Sequence, residues 1–285
     1  MISLKQKLLQ PGVIKAPGVY DGMTALLAQQ TGFEAGFVSG AGISLARFGS
    51  PDLGLVSMSE VATCVSQMRE RVELPLIVDI DTGFGNAINT ARTVKVLERA
   101  GASALQLEDQ LMPKRCGHLA GKQVISSEEM VGKIHSALDA RQASDTLIIA
   151  RTDALGVNGF EDAIARGQAY LEAGADMLFI EAPKSLAQIQ TIAKLFSNKA
   201  PLVHNLVEAV NSPVNDANQL ERLNYKIALY PLALLGSAIA AQKRTLTHIY
   251  DTGESQCQLL PKENLTEINN TVELSKLLDL MKKYI

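Results

Sequence analysis

Arg99-Ala100-Gly101-Ala102-Ser103-Ala104-Leu105-Gln106-Leu107-Glu108-Asp109 is the stretch on which the fold turns. Its glycine follows a helical pattern over residues 89–99 and precedes the mostly apolar run 104–107. A glycine at that joint stops a helix in the left-handed conformation before the chain enters a strand. The same joint recurs as Glu172-Ala173-Gly174-Ala175-Asp176-Met177-Leu178, and more loosely as Gln30-Thr31-Gly32-Phe33-Glu34-Ala35-Gly36.

Outward from these joints, short apolar runs rich in β-branched residues fall at 13–16, 35–39, 76–79, 104–107, 147–150, 177–180, 202–204 and 226–229. Helical periodicity fills the intervals at 23–30, 58–69, 89–99, 128–140, 160–172, 186–195 and 214–223, and follows the last strand at 232–249. Strand alternating with helix argues for parallel βαβ units. The pattern predicts an α/β chain folded as a (β/α)8 TIM-type barrel with additional C-terminal helices; a doubly wound open sheet has the same periodicity. No linker or low-complexity stretch divides the sequence, so residues 1–285 read as one domain. Its segment 250–285 is helical, with Leu274, Leu277, Leu278 and Met281 at amphipathic spacing.

A barrel places its chemistry at the C-terminal ends of its strands. Those ends carry Tyr20-Asp21, Ser39-Gly40-Ala41, Asp79-Ile80-Asp81, Glu108-Asp109, Arg151-Thr152-Asp153, Glu181, Asn205 and Tyr230, whereas the strands are almost wholly apolar. Asp79 and Asp81, two residues apart and followed by Gly83-Phe84-Gly85, suit one hard cation such as Mg²⁺. After the fourth strand comes Lys114-Arg115-Cys116-Gly117-His118, three basic residues around one thiol. Such neighbours lower a thiol's pKa, which places Cys116 to exchange a proton near neutral pH. Neither a Walker-type nor a dinucleotide fingerprint is present, and Cys116 and His118 lack the further ligands a zinc site needs.

Composition narrows the class. The chain has 285 residues, is 47% hydrophobic and 20% charged, and carries a net charge of −3. Nothing in that balance points to nucleic acid or an anionic membrane as partner. Three well-separated cysteines, Cys64, Cys116 and Cys257, fit reduced thiols in a cytoplasm better than a disulfide framework. Lys5 and Lys7 interrupt any secretory apolar run at the start.

The succession Ser39-Gly40-Ala41, Pro51-Asp52, Asp79-Ile80-Asp81-Thr82-Gly83-Phe84-Gly85, Leu107-Glu108-Asp109-Gln110, the 114–118 pentad, Ala150-Arg151-Thr152-Asp153 and Glu181-Ala182 resembles the isocitrate lyase/phosphoenolpyruvate mutase superfamily. The resemblance implies a Mg²⁺-dependent barrel enzyme, with Mn²⁺ as a substitute, that acts on small 2-oxo or 2-hydroxy acids through an enolate; the cysteines and the interrupted start place it in the cytoplasm. The resemblance also implies a homotetramer that exchanges C-terminal helices. Carried over by position, Asp79 and Asp81 would hold the metal with Glu108 in its outer shell. Ser39, Gly40 and Ala41 would bind the pyruvoyl end and Arg151 its carboxylate, while Asp52, Gly117, Glu181 and Asn205 complete the substrate site. Lys114, Cys116 and His118 would be the catalytic group.

In this superfamily a cysteine at position 116 resembles the carbon–carbon lyases, where it is the general acid; members acting on C–P bonds usually lack it. The expected reaction is cleavage of a 2-substituted dicarboxylic acid, such as a 2-alkylmalate, to pyruvate and a carboxylate. Alternatives are methylisocitrate cleavage, oxaloacetate hydrolysis or decarboxylation, and a phosphonopyruvate or carboxyphosphonoenolpyruvate mutase activity. Methylisocitrate lyases place arginines where this chain has Gly236 and, in a looser alignment, Lys262. Loss of bidentate recognition for a third carboxylate is not a conservative change.

Overall fold

The computed structural model describes residues 2–117, 119–207, 212–255 and 263–284. Eight parallel strands close in chain order: β1 (Ile14–Val19), β2 (Gly36–Val38), β3 (Leu76–Asp79), β4 (Ala104–Glu108), β5 (Leu147–Thr152), β6 (Met177–Ile180), β7 (Leu202–Asn205) and β8 (Ile227–Tyr230). The pairing of β1 with β8, from Ile14 opposite Ile227 to Pro17 opposite Tyr230, decides the barrel against the open sheet. At this seam Gly18 permits a close approach. A Cβ there would lie 2.0 Å from the Pro231 carbonyl oxygen.

Side chains alternate across each strand, and the two faces separate cleanly. One buried cluster joins Ile14 and Ala16, Phe37, Ile77, Ala104, Leu147 and Ile149, Met177 and Phe179, Val203, and Ile227 and Leu229. These residues line the barrel interior, with Leu4 and Leu8 of the short helix Leu4–Leu8 joining the same cluster. The opposite face supplies Leu178, Ile180, Leu202 and Ala228, which pack on Ile189, Ile192 and Phe196 of the helix Leu186–Phe196. Continuing the interior face toward the strand ends, by two residues or, in β4, by four past Gln106, leads to Ser39, Asp79, Glu108, Arg151, Glu181 and Asn205. The period that builds the core therefore aims these polar groups at the barrel mouth.

Gly101 and Gly32 end their helices at φ 102° and 93°, and Gly174 has φ 97°. All three are the left-handed positions that the joint sequence requires. Several boundaries differ from the sequence reading. β1 runs on through Pro17 and Gly18 to Val19, because the pairings with β8 and β2 carry it past residues that read as a breaker. The helix Gly40–Phe48, hidden by Gly40 and Gly42, starts directly after β2. The helix expected over 214–223 is confined to Ala217–Arg222, where Asp216 caps it.

By its internal contacts the chain divides into two units, Met1–Ala233 and Leu234–Ile285. The second unit holds most of the helix Ala233–Thr252 together with Leu265–Thr271 and Leu274–Lys282. Asn264 and Glu267 close a reciprocal capping box at the start of Leu265–Thr271. Among the described residues no helix is long and apolar enough to cross a membrane.

Candidate active site

β3 ends in Asp79, and the chain then turns sharply through Asp81, Gly83, Phe84 and Gly85, all at positive φ. The Asp81 N–H donates to Asp79 Oδ1 at 3.2 Å, so the first carboxylate pins the turn that presents the second. Gly40 leaves the gap between them. A Cβ at Gly40 would lie 3.3 Å from Asp81 Oδ1 and 3.7 Å from Asp79 Oδ2. Ser39 caps the nine-residue helix Gly40–Phe48, accepting from the Gly42 N–H at 3.2 Å. The first-turn N–H groups of that helix, at Gly40 and Ala41, are its positive end, which favours an anion.

A chamber of about 60 Å³ at the barrel mouth is lined by Ser39, Ala41, Asp52, Asp79, Glu108, Lys114, Cys116, Gly117, Arg151, Glu181 and Asn205. The 114–117 loop reaches this chamber by close contact. A Cβ on Gly117 would come 2.4 Å from Arg151 Nη2, so only glycine lets the loop seat on the guanidinium. His118, expected in the catalytic group, lies outside the described residues, as do Lys262 and Cys257. Cys64 is buried in the helix Met58–Arg69, its thiol donating to the Tyr20 carbonyl at 3.1 Å.

The charges form one connected set. Lys114 Nζ lies 2.6 Å from Asp52 Oδ1 and 2.9 Å from Asp81 Oδ1. Arg151 Nε lies 3.2 Å from Glu108 Oε2 and 2.9 Å from Asp153 Oδ2, and Nη1 lies 3.4 Å from Glu181 Oε2. Asn205 Nδ2 donates to the same Glu181 oxygen at 2.9 Å. Lys122 Nζ meets Asp153 Oδ1 at 2.7 Å. Among the described residues, the carboxylates of Asp52, Asp79, Asp81, Glu108, Asp153 and Glu181 gather around the cations of Lys114, Lys122 and Arg151.

Burial and these neighbours together shift the ionisation of the set. Burial pushes Asp81 up to about 7, and the neighbouring Asp79 adds to the rise although Lys114 opposes it. Burial likewise holds Glu108 well above the usual carboxylate range, against the pull of Arg151. Burial alone would lower Lys114, yet Asp81, Glu108, Asp79 and Asp52 together hold it well above a free lysine. Excess buried negative charge asks for a cation.

The donor set fits a hard divalent ion. The gap at Gly40 lies between the Asp79 and Asp81 carboxylates, and Glu108 Oε1 is buried with no hydrogen-bond partner among the described residues. No group of three or more His, Cys, Asp or Glu among the described residues forms a ready metal cage by itself. Two carboxylates completed by water are the arrangement that Mg²⁺ tolerates.

Asp153, Asp109, Gln110 and Lys122 belong to the site's framework and were not among the residues the sequence singled out for a role. Asp109 points to the outer face, where its Oδ2 accepts from Thr152 Oγ1 and Tyr170 OH, each at 2.7 Å, and from Arg166 Nη1 at 3.1 Å. Its Oδ1 accepts from the Asp153 N–H at 2.9 Å. Asp153 stood in the sequence as part of the β5 end. Nothing in the sequence distinguishes a residue that grips Arg151 from one that merely ends a strand.

A closed parallel barrel whose mouth gathers paired aspartates, a guanidinium, a helix N-terminus and a thiol is an enzyme scaffold for small carboxylic acids. The chain belongs to the phosphoenolpyruvate phosphomutase family, whose family model matches residues 4–250. It is 46% identical over 259 residues to the 2-methylisocitrate lyase of Aeropyrum pernix, across 91% of this chain and 82% of that one. It is 37% identical to the 2,3-dimethylmalate lyase of Eubacterium barkeri, across 99% and 96% of the two chains.

Solved structures share the fold. An oxaloacetate acetylhydrolase bound to the inhibitor 3,3-difluorooxalacetate superposes with a TM-score of 0.94 at 32% identity, covering 99% of this chain and 96% of that one. A phosphonopyruvate hydrolase in complex with oxalate and Mg²⁺ superposes at 0.84 and 32% identity, covering 95% and 94%. With relatives named as lyases over nearly its whole length, the chain is a carbon–carbon lyase of the isocitrate lyase/phosphoenolpyruvate mutase superfamily.

Proposed function

We propose that the protein cleaves a 2-alkylmalate whose 2-substituent is methyl, or a similar 2-substituted hydroxydicarboxylic acid, to pyruvate and a carboxylate, with Cys116 as general acid. The observation that carries this reading is the shared chamber: Cys116 lines the same small cavity as Asp79, Glu108 and Arg151. Asp79 and Asp81 would hold Mg²⁺, completed by water, with Glu108 outside the ligand sphere. When bound, the cation supplies positive charge that stabilises a negatively charged substrate oxygen.

The chain's own residues account for the rest. Arg151 and the N–H groups of Gly40 and Ala41 bind and orient the pyruvoyl end. Asn205 Oδ1 has no partner among the described residues and is free to accept from the substrate. Glu108, which lines the chamber and whose Oε1 has no hydrogen-bond partner among the described residues, takes the proton of the C2 hydroxyl; the C2–C3 bond then breaks and the 2-oxo group of pyruvate forms. The electron pair goes to C3 of the departing half, where the adjacent carboxylate spreads it as an enolate. Cys116 delivers the proton to that carbon, and Lys114, braced by Asp52 and Asp81, adds positive charge to the chamber wall. The same reading places the enzyme in the cytoplasm as a homotetramer.

Methylisocitrate cleavage is the second reading, favoured by the 46% identity to the Aeropyrum pernix enzyme. Gly236, which carries no cation, argues against it. The experiment is a screen of 2-alkylmalates, methylisocitrate, oxaloacetate and phosphonopyruvate with Mg²⁺, measuring pyruvate, oxalate and phosphate. Pyruvate from the alkylmalates supports the proposal. Oxalate from oxaloacetate alone, or phosphate from phosphonopyruvate alone, overturns it.

A further inference from the structure

The thiol loop is held on both sides of Cys116. Before the thiol, the Gln110 amide grips the Arg115 backbone, Nε2 donating to the carbonyl at 2.9 Å and Oε1 accepting from the N–H at 3.0 Å. The Cys116 N–H donates to the Asp52 carbonyl at 3.2 Å. After the thiol, the Gly117 carbonyl accepts from the Lys122 ammonium, which also donates to Asp153 Oδ1 at 2.7 Å. The Lys122 side chain is only 6% exposed. A charge-assisted bond there competes little with water, unlike a surface pair.

Lys122 is anchored on something that does not give. Asp153 is tied by its N–H to Asp109, and Asp109 is tied to Tyr170 and Arg166 on the helix Phe160–Glu172. A run of buried contacts therefore leads from the outer helix layer to the peptide next to Cys116. Gly117 has no side chain with which to fix its own turn. Its carbonyl is the handle by which that turn can be set.

We propose that Lys122 is a positioning residue for Cys116: anchored on Asp153, its ammonium holds the Gly117 carbonyl and so keeps the thiol at the chamber. This rests on the assignment of Cys116 as the acid. Lys122 acts through the loop and is not itself a catalytic residue. One carbonyl and one carboxylate oxygen ask for a compact ammonium, whereas a guanidinium must spread its planar fork to reach both.

The test compares wild type with Lys122→Met, Lys122→Arg, Cys116→Ser and the Lys122→Met/Cys116→Ser double variant. It reads kcat, KM and the rate of Cys116 alkylation by iodoacetamide, located by peptide mass. Lys122→Met should cut kcat by about 10²-fold, the cost of misplacing a reacting group by about an ångström, with KM within about threefold. Cys116 should alkylate faster in Lys122→Met, and Lys122→Arg should recover part of both effects. In the Cys116→Ser background, Lys122→Met should cost nothing further.

An additive loss in that background, or an unchanged alkylation rate, overturns the proposal. If Lys122→Met fails to fold, Lys122→Arg and Lys122→Gln provide the same comparison. If Cys116→Ser alone turns over at the wild-type rate, the acid assignment fails. The alkylation rate still decides whether Lys122 holds the loop.

Discussion

Asp153 grips the Arg151 guanidinium twice, accepting from Nε at Oδ2 (2.9 Å) and from Nη2 at Oδ1 (3.2 Å). The fork is thereby fixed in plane at the chamber wall, its Nη1 on the side of Glu181. Burial by itself would raise Asp153, but Arg151 and Lys122 outweigh it and hold the carboxyl down at about 2. The carboxylate therefore stays charged through the neutral and mildly acidic range. Asp153→Asn keeps the shape and loses the charge. Removing a charge-assisted partner costs roughly 1.5–3 kcal/mol, so oxalate should bind about ten- to hundredfold more weakly by calorimetry. An unchanged oxalate Kd would show that Arg151 orients itself.

Metal binding should depend on pH in a defined direction. Burial pushes the Asp81 carboxyl up to about 7, so below that pH a cation must displace a proton. Apparent Mg²⁺ affinity should fall roughly tenfold for each pH unit below 7, with about one proton released per ion at pH 6. The same raised pKa means that Asp81 stabilises the metal-free fold at low pH. That contribution is lost as pH rises through about 7, where Mg²⁺ should restore it. Asp81→Asn should abolish both effects and turnover, while EDTA inhibition of the wild type should reverse with Mg²⁺. Full activity in metal-free buffer would remove Asp79 and Asp81 from the mechanism.

His204, which lines a cavity with Lys122, Glu181 and Asn205, offers a stability prediction. It points outward from β7, edge-on to Tyr225 at 5.6 Å between ring centres, and Nε2 has no hydrogen-bond partner among the described residues. Burial depresses its pKa to about 4. A depressed histidine leaves stability intact above the unfolded value near 6.5 and removes it as pH falls from there toward 4. The full loss is roughly 3 kcal/mol. Urea unfolding at pH 7 and 4.5 should show this slope in wild type and a flatter one in His204→Leu. Equal slopes would mean that His204 is solvated.

The alternation of eight strands with helices was legible in the repeated joint and the apolar runs, but closure was not, because an open sheet has the same periodicity and only the β1–β8 pairing decides it. The parity that aims Ser39, Asp79, Glu108, Arg151, Glu181 and Asn205 inward is also written in the sequence. What was not legible depends on contacts between distant segments. Lys122 lies 31 positions from Asp153, and its reach to that carboxylate exists only once the loop after β4 folds back. The helix Gly40–Phe48 was hidden because its glycines weaken the local preference for helix, while the Ser39 cap and tertiary packing supply it.

Substrate size follows from a missing cation. On the resemblance, Gly236 stands where methylisocitrate lyases place an arginine, and a third carboxylate would then lack a charge-assisted contact worth on the order of 1.5–3 kcal/mol. A 2-alkylmalate should therefore be cleaved with kcat/KM about ten- to more than hundredfold higher than methylisocitrate. Gly236→Arg should narrow the gap. A wild-type preference for methylisocitrate would put the second reading first.

The central claim is that Cys116 protonates the departing carbon, and Cys116→Ser tests it most directly. A serine hydroxyl preserves the size of the side chain but is far too weak an acid to deliver a proton near neutral pH. The measurement is kcat for pyruvate release from the best 2-alkylmalate, paired with calorimetry of Mg²⁺ and oxalate binding on the same protein. The account predicts binding unchanged and kcat lower by roughly 10²-fold or more, the usual contribution of a positioned acid. Turnover near the wild-type rate with binding intact would contradict it.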